Sequence, residues 1–198
     1  MRAYTNDELI SPVTNQELAD WLRLDDDTDP LLSVMTVTAT QAVIDYLQRD
    51  LLHRNWVLVH EEWPTVSPTR RYSDVTFDFT CFNRVIELPY AGAISVDTVT
   101  TYGEVTTEYR LLDSLPSKLK FHYQATTSSD DVPAITVAYT AGMGATASDI
   151  PQAIKTAITM TAAFLYEHRG QCTAEDALKD SGAAASIQSF RVRAGLVV

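Results

Sequence analysis

Three groups of residues in this chain have side chains and spacings that could do chemistry. The first is Asp25, Asp27 and Asp29, alternate carboxylates like those that open a calcium-binding loop. The pattern then breaks. Pro30 stands at the sixth position, where glycine makes the sharp turn, and Thr36 stands at the twelfth, where a bidentate glutamate is needed. A solvated turn whose acids favour the start of the next helix, through its dipole, accounts for the same residues. The second group is Gly142-Met-Gly144-Ala-Thr-Ala147, a loose match to the glycine fingerprint of dinucleotide sites. That fingerprint needs a helix to begin within the glycine turn, so that its N–H groups meet the pyrophosphate. Here Ser148-Asp149-Ile150-Pro151 intervenes, and Asp149 would repel a phosphate. The third group is His60-Glu61-Glu62. It lacks a second histidine four residues on and falls in a strand-like run, whereas a zinc protease needs both histidines on one helix face.

The other histidines, His53, His122 and His168, have no ligand spacing either, and there is no serine elbow, phosphate loop or cysteine pair. Cys81 and Cys172 are far apart and read as free thiols. These residues predict no catalytic, cofactor-binding or metal site. A carboxylate dyad assembled from scattered Asp and Glu stays open as an alternative, against the simpler reading of solvated strand faces.

The elements that would position these residues are readable from periodicity. Thr14-Asn-Gln-Glu17 is a capping box, a hydroxyl followed three residues later by a carboxylate, and it opens a helix carrying Leu18, Trp21, Leu22 and Leu24. Asp29 before Pro30 is a second helix start. Leu31, Met35, Thr38, Ala39, Ala42, Val43, Tyr46 and Leu47 then recur at helical spacing, ending near Arg49 to Leu52. From Trp56 the period changes to two, with short alternating runs separated by turn residues through about Tyr139, which predicts an antiparallel β unit. Helical spacing returns at Pro151 with Ile154, Ala157, Ile158, Thr161, Ala162 and Leu165. A weaker helix is expected from Thr173 to Ala185. From Ser186 onward Phe190, Val192, Ala194 and Leu196 alternate with Arg191, Arg193 and Gly195, which reads as an extended arm. The expected fold class is α+β: a bundle of two N-terminal and one or two C-terminal helices, an inserted antiparallel β domain, and an extended C-terminal arm. The expected boundaries are 1–54 with 148–185 for the helical body, 55–147 for the β domain and 186–198 for the arm.

Composition narrows the function. The chain has 198 residues, 45% of them hydrophobic, enough for a substantial core. Its uncharged helical run is too short to cross a bilayer, and the first residues have no apolar signal-peptide core, so a cytoplasmic protein without a membrane partner is expected. Fifteen Lys and Arg against 26 Asp and Glu give a net charge of −11, which opposes wrapping nucleic acid. Residues 1–50 are the most acidic part, with Arg2, Arg23 and Arg49 against ten carboxylates. An acidic surface can still face DNA as a wall that does not bind it. Between Thr156 and Tyr166 no residue is charged. A helix without a wet face is covered on most sides, by its own core or by a second copy of the chain. Ile154, Ala157, Ile158, Thr161 and Leu165 are therefore candidate subunit-packing residues. The arm is a candidate for strand addition to a neighbour or for an edge strand of its own sheet.

Several stretches resemble the tailed-phage head–tail connector (adaptor, head-completion) family. They are Leu18-Ala-Asp-Trp-Leu-Arg-Leu-Asp-Asp-Asp-Thr-Asp-Pro-Leu-Leu with Ala39, Ala42 and Tyr46-Leu47; Val85-Ile-Glu-Leu-Pro-Tyr-Ala-Gly-Ala-Ile-Ser-Val-Asp-Thr-Val99; Tyr139-Thr-Ala-Gly; Ile150-Pro-Gln-Ala-Ile-Lys-Thr-Ala-Ile; and Leu165-Tyr-Glu-His-Arg169. The segment from Pro64 to Asn83 and the C-terminal region have no clear counterpart. The resemblance implies a structural protein of the virion neck, not an enzyme, assembled in the host cytoplasm. It implies a homo-oligomeric ring, typically dodecameric, under the portal protein. Such a ring extends the DNA channel without sequence-specific binding and carries a neck, stopper or tail-completion protein. It also implies that the Ile154–Leu165 helix packs in the ring body and that Phe190, Arg191, Val192, Arg193 and Leu196 of the arm contact the portal. The competing expectations are a different neck or tail-completion ring protein, and a β-sandwich ligand- or carbohydrate-binding module, which would need exposed aromatics on one sheet face that Trp56, Trp63, Tyr72 and Tyr123 could supply.

Overall fold

Thr14 opens the first helix as its capping box requires. Its hydroxyl accepts from the Glu17 N–H, and the Glu17 carboxylate accepts from the Thr14 N–H at 2.7 Å. The computed structural model describes residues 1–66, 69–72, 75–78, 81–82, 85–90, 92–122 and 132–192, with the backbone alone at 65–66, 69–72, 75–78 and 81–82. Helix α1 (Asn15–Leu22) stops where Arg23 takes a left-handed conformation, φ 58°, and donates its N–H back to the helix. Helix α2 (Pro30–Leu47) starts on Asp29, whose Oδ1 accepts from the Leu31 N–H at 2.9 Å, with Pro30 as first helical residue. It ends on Gln48, again left-handed. Helix α3 (Gln152–Glu167) follows a 3-10 turn at Ala147–Asp149. The single weak helix expected from Thr173 to Ala185 is two. They are α4 (Ala174–Asp180), capped by the Thr173 hydroxyl, and α5 (Ala183–Ile187), because Gly182 at φ 76° breaks the run between them.

The strands are β1 (Arg2–Tyr4), β2 (Arg54–His60), β3 (Thr65–Val66), β4 (Thr69–Tyr72), β5 (Val75–Asp78), β6 (Cys81–Phe82), β7 (Val85–Glu87), β8 (Ala93–Thr101), β9 (Glu104–Val105), β10 (Tyr109–Leu112), β11 (Lys118–Phe121) and β12 (Ile135–Ala141). One sheet has the order β1-β2-β12-β8-β9 and another β10-β11-β7; β3 pairs β6 and β4 pairs β5. The pairs β1/β2, β8/β9, β10/β11 and β11/β7 are antiparallel. The alternation read from the sequence matches the pleat. On β11, Leu119 and Phe121 are buried while Lys120 is exposed. On β12 every second residue from Ile135 to Ala141 is buried.

The chain is α+β and divides into two units. One comprises Met1–Asn6, Asn55–Pro89 and Ala93–Thr140; the other comprises Asp7–Arg54, Tyr90–Gly92 and the chain from Ala141 onward. The first residues therefore belong with the strands instead of the helical body, because β1 pairs with β2 through Arg2 opposite Val59 and Tyr4 opposite Val57. In the β unit, the Trp63 and Phe121 rings meet edge-on at 5.2 Å, and the Tyr139 hydroxyl donates to the Pro89 carbonyl at 2.9 Å. In the helical unit, one continuous core joins Leu18, Leu32, Val43, Leu47, Ile154, Ile158, Ala162, Leu178 and Ile187. Threonines are tolerated inside this core because each hydroxyl bonds back along its own helix. Thr40 donates to the Thr36 carbonyl at 2.8 Å and Thr161 to that of Ala157 at 2.8 Å.

Candidate functional site

The uncharged stripe of α3 finds its cover within the chain. Ile154, Ala157, Ile158 and Thr161 are fully buried and Leu165 is 7% exposed. Helix α3 packs on α2, α5, α4 and α1, all in the same unit. These five side chains pack inside the helical unit of the chain. An apolar helix needs a cover, and within this chain its own bundle supplies one, the second of the two covers that the sequence allowed. Among the described residues, the large apolar side chains that the helical unit exposes lie elsewhere, at Ile10, Trp21, Val34 and Val37.

The arm starts later than its alternating pattern suggests. Residues 186–190 are helical, in α5 and a 3-10 turn at Gln188–Phe190, because small Ala183 and buried Ile187 dock the segment on the core. Extended backbone begins at Arg191. Phe190 is partly buried against the core, the Arg191 guanidinium lies 5.0 Å from the centre of the Tyr46 ring, and the Val192 N–H donates to the Leu47 carbonyl at 2.9 Å. Of the candidate arm residues, Arg191 and Val192 root the arm on the end of α2 and Phe190 packs on the helical core; Arg193 and Leu196 lie outside the described residues.

The three groups with chemical potential resolve into local structure. Asp26 caps its own turn through Thr28, and Asp29 caps α2. The Asp29 carboxyl is held below the usual range, first by the Leu31 N–H, then by the Tyr166 hydroxyl. At Gly142–Gly144 the backbone is already engaged: Met143 and Gly144 donate to the Leu51 carbonyl, and Gly144 accepts from the His53 N–H at 3.0 Å. A β-carbon on Gly142 would stand 2.6 Å from the Leu52 carbonyl oxygen, so glycine here serves close backbone approach instead of a phosphate. Asp149 accepts from the Thr146 N–H at 2.8 Å and from its hydroxyl, which lowers its pKa. In the His60-Glu61-Glu62 run, both glutamates are exposed and the His60 ring is half-buried in β2. Burial lowers the His60 pKa, with the N-terminal charge adding to it. Among the described residues no three His, Cys, Asp or Glu come together as a metal site, and no helix is long and apolar enough to cross a membrane.

Trp56 and Trp63 are buried, 5% and 4% exposed, so they form no aromatic platform on a sheet face. The side chains of Tyr72 and Tyr123 lie outside the described residues. Sequence reasoning missed a groove of about 630 Å3 beside α2, because its lining residues, among them Leu9, Val37, Tyr46, Leu178 and Arg191, come from four separate stretches of sequence. The only sequence signal was Val37, an apolar residue off the stripe of α2.

The sequence matches no protein-family model and no curated protein. Solved structures match the fold over the whole chain. A chain of the structure described as "Neck of empty GTA particle computed with C6 symmetry" superposes with TM-score 0.75 at 19% identity, over 100% of this chain and 99% of that one. A chain of "Neck of native GTA particle computed with C12 symmetry" gives 0.70 at 18% identity with the same coverage. A chain of "Virion of native gene transfer agent (GTA) particle" gives 0.67 at 19% identity, again over 100% and 99%. End to end, this chain has the α+β fold of protein chains found in gene-transfer-agent particles.

Proposed function

We propose that this protein is a structural neck component of a tailed phage or phage-like particle, a head–tail connector. In this reading, copies close a ring under the portal protein, twelve by analogy. DNA passes along the ring axis without being read, and the far side of the ring carries a stopper or tail-completion protein. The observation that carries the reading is the end-to-end fold match to neck structures, one of them solved with C12 symmetry. Heterologous contacts that close on themselves are what such a symmetry requires. The net charge of −11 supports a wall along which DNA slides. The arm beyond Val192 is the candidate portal contact, rooted on the end of α2 by Arg191 and Val192. The binding-module alternative loses support from the burial of Trp56 and Trp63.

Light scattering and negative-stain microscopy, with and without portal protein, test this. Rings in the presence of portal are expected; a monomer in both conditions overturns the reading. The arm is tested by ending the chain after Val192, which spares the anchoring residues. The shortened protein should stay folded and lose portal binding; undiminished binding rejects the arm as the contact.

A further inference from the structure

Among the described residues, the helical unit exposes four large apolar side chains, Ile10, Trp21, Val34 and Val37. Three of them gather at one surface. Val37 lines the groove beside α2, Val34 stands one helical turn before it on the same face, and Ile10 follows Leu9, which lines the groove too. Trp21, near the end of α1, is the fourth and stands outside that lining. Taking the protein as a ring component, the reading on which this contact rests, we propose that the groove receives Trp21 of a second copy of the chain, with Arg23 of that copy on Asp45.

Identical copies close a ring through heterologous contacts, so each must carry two different surfaces that fit one another. The groove and Trp21 fit in shape. One is concave and apolar at Leu9, Val37 and Leu178; the other is an indole left 54% exposed on the last turn of α1. A buried tryptophan seated in a dry pocket anchors an interface beyond its share of the area, and the groove's volume of about 630 Å3 admits one. The two surfaces also fit in charge. Asp45 lines the groove, accepts from the Gln41 amide at 2.8 Å and makes no ion pair among the described residues. Glu175, in the same lining, is engaged by Lys179, which leaves Asp45 as the carboxylate open to a cation. Arg23, two residues after Trp21, is exposed and likewise makes no ion pair among the described residues. The acids that follow it, Asp25 and Asp27, find a cation in Arg191 of the groove lining. Docking therefore covers the exposed indole, seals the apolar lining and pairs a free carboxylate with a free guanidinium at once.

Ring counts by negative-stain microscopy, with portal protein present, test the contact on variants of the full chain. Trp21→Glu and Val37→Glu change exposed side chains, so the circular dichroism should stay that of wild type while the rings are lost. Arg23→Glu and Asp45→Arg should each lower the ring count several-fold at low salt. The chain carrying both should regain it, because the reversed charges meet again between copies. This exposed charge pair decides the matter if either apolar variant misfolds. Rings undiminished in a folded Trp21→Glu or Val37→Glu chain overturn the proposal. So do single charge reversals that keep the rings, and a double reversal that stays as poor as the singles. Recovery in the double variant also separates a contact between copies from a groove that grips the portal, since the portal carries neither change. Wild-type chains that form no ring with portal overturn the connector reading and this contact with it, whereas rings formed alike by wild type and every variant overturn this contact alone.

Discussion

Tyr166 donates its hydroxyl hydrogen to Oδ2 of Asp29 at 2.8 Å, joining positions 137 residues apart. The other oxygen of the same carboxylate caps α2, so one side chain starts that helix and anchors the last turn of α3. The Arg169 guanidinium lies 4.0 Å from the Tyr166 ring centre, and its Nε donates to the Tyr166 carbonyl at 2.8 Å. The acidic run before α2 and the Tyr-Glu-His-Arg end of α3 are thus two halves of one clasp.

Tyr166→Phe keeps the ring and removes only the hydroxyl. It should lower the melting temperature by a few degrees without changing the fold, because a hydrogen bond to a charged acceptor contributes modestly to stability. Calorimetry of the two proteins decides; an unchanged melting temperature rules the clasp out as a stabilising contact.

Ile158→Ala should cost roughly 2–5 kcal/mol of protomer stability, since it empties a fully buried site between α3 and its neighbours. Urea unfolding measures this. A loss below about 0.5 kcal/mol would mean that the α3 stripe is not packed inside the protomer.

Gly142→Ala combines a β-carbon 2.6 Å from the Leu52 carbonyl oxygen with a φ of 151°. Strain of roughly 1–3 kcal/mol is expected. Ala145→Gly, in the same loop but exposed, serves as the control and should cost much less. Equal urea midpoints for Gly142→Ala and wild type would contradict the close approach.

Acid should weaken the protein in two stages. His60 is held neutral by burial, so its folded pKa lies below the unfolded value of about 6.5. Its contribution is complete above about pH 6.5 and is lost as pH falls towards the folded value, because the unfolded chain then binds the extra proton. Asp29, Asp149 and Asp176 also have lowered pKa values, chiefly from the Leu31 N–H, the Thr146 N–H and the Thr173 hydroxyl. Their contribution is present above about pH 4 and disappears as pH falls through their folded values. Urea midpoints from pH 7.5 to 3 should show both stages, and His60→Gln should flatten the upper one alone. Persistence of the upper stage in that variant assigns it elsewhere.

Local rules carried far in this chain. Thr14 with Glu17, Asp29 with Pro30, and the period of two along Leu119 and Phe121 each depend on residues within a few positions, and backbone geometry dictates the outcome directly. Gly182 escaped because its effect on the weak helix is one left-handed residue in a run of good helix formers. The arm's first residues followed packing instead of alternation, since Ile187 gained more by docking on the core than by extending. The uncharged stripe of α3 announced that it would be covered; whether by a neighbour or by α2, α4 and α5 depended on which surfaces the fold brought near it. The same holds for β1 beside β2, for Tyr166 on Asp29, and for the groove between Val37 and Leu178. Contacts between distant stretches cost chain entropy that only the assembled core repays, so no local pattern announces them, and three-dimensional packing alone chose the partners.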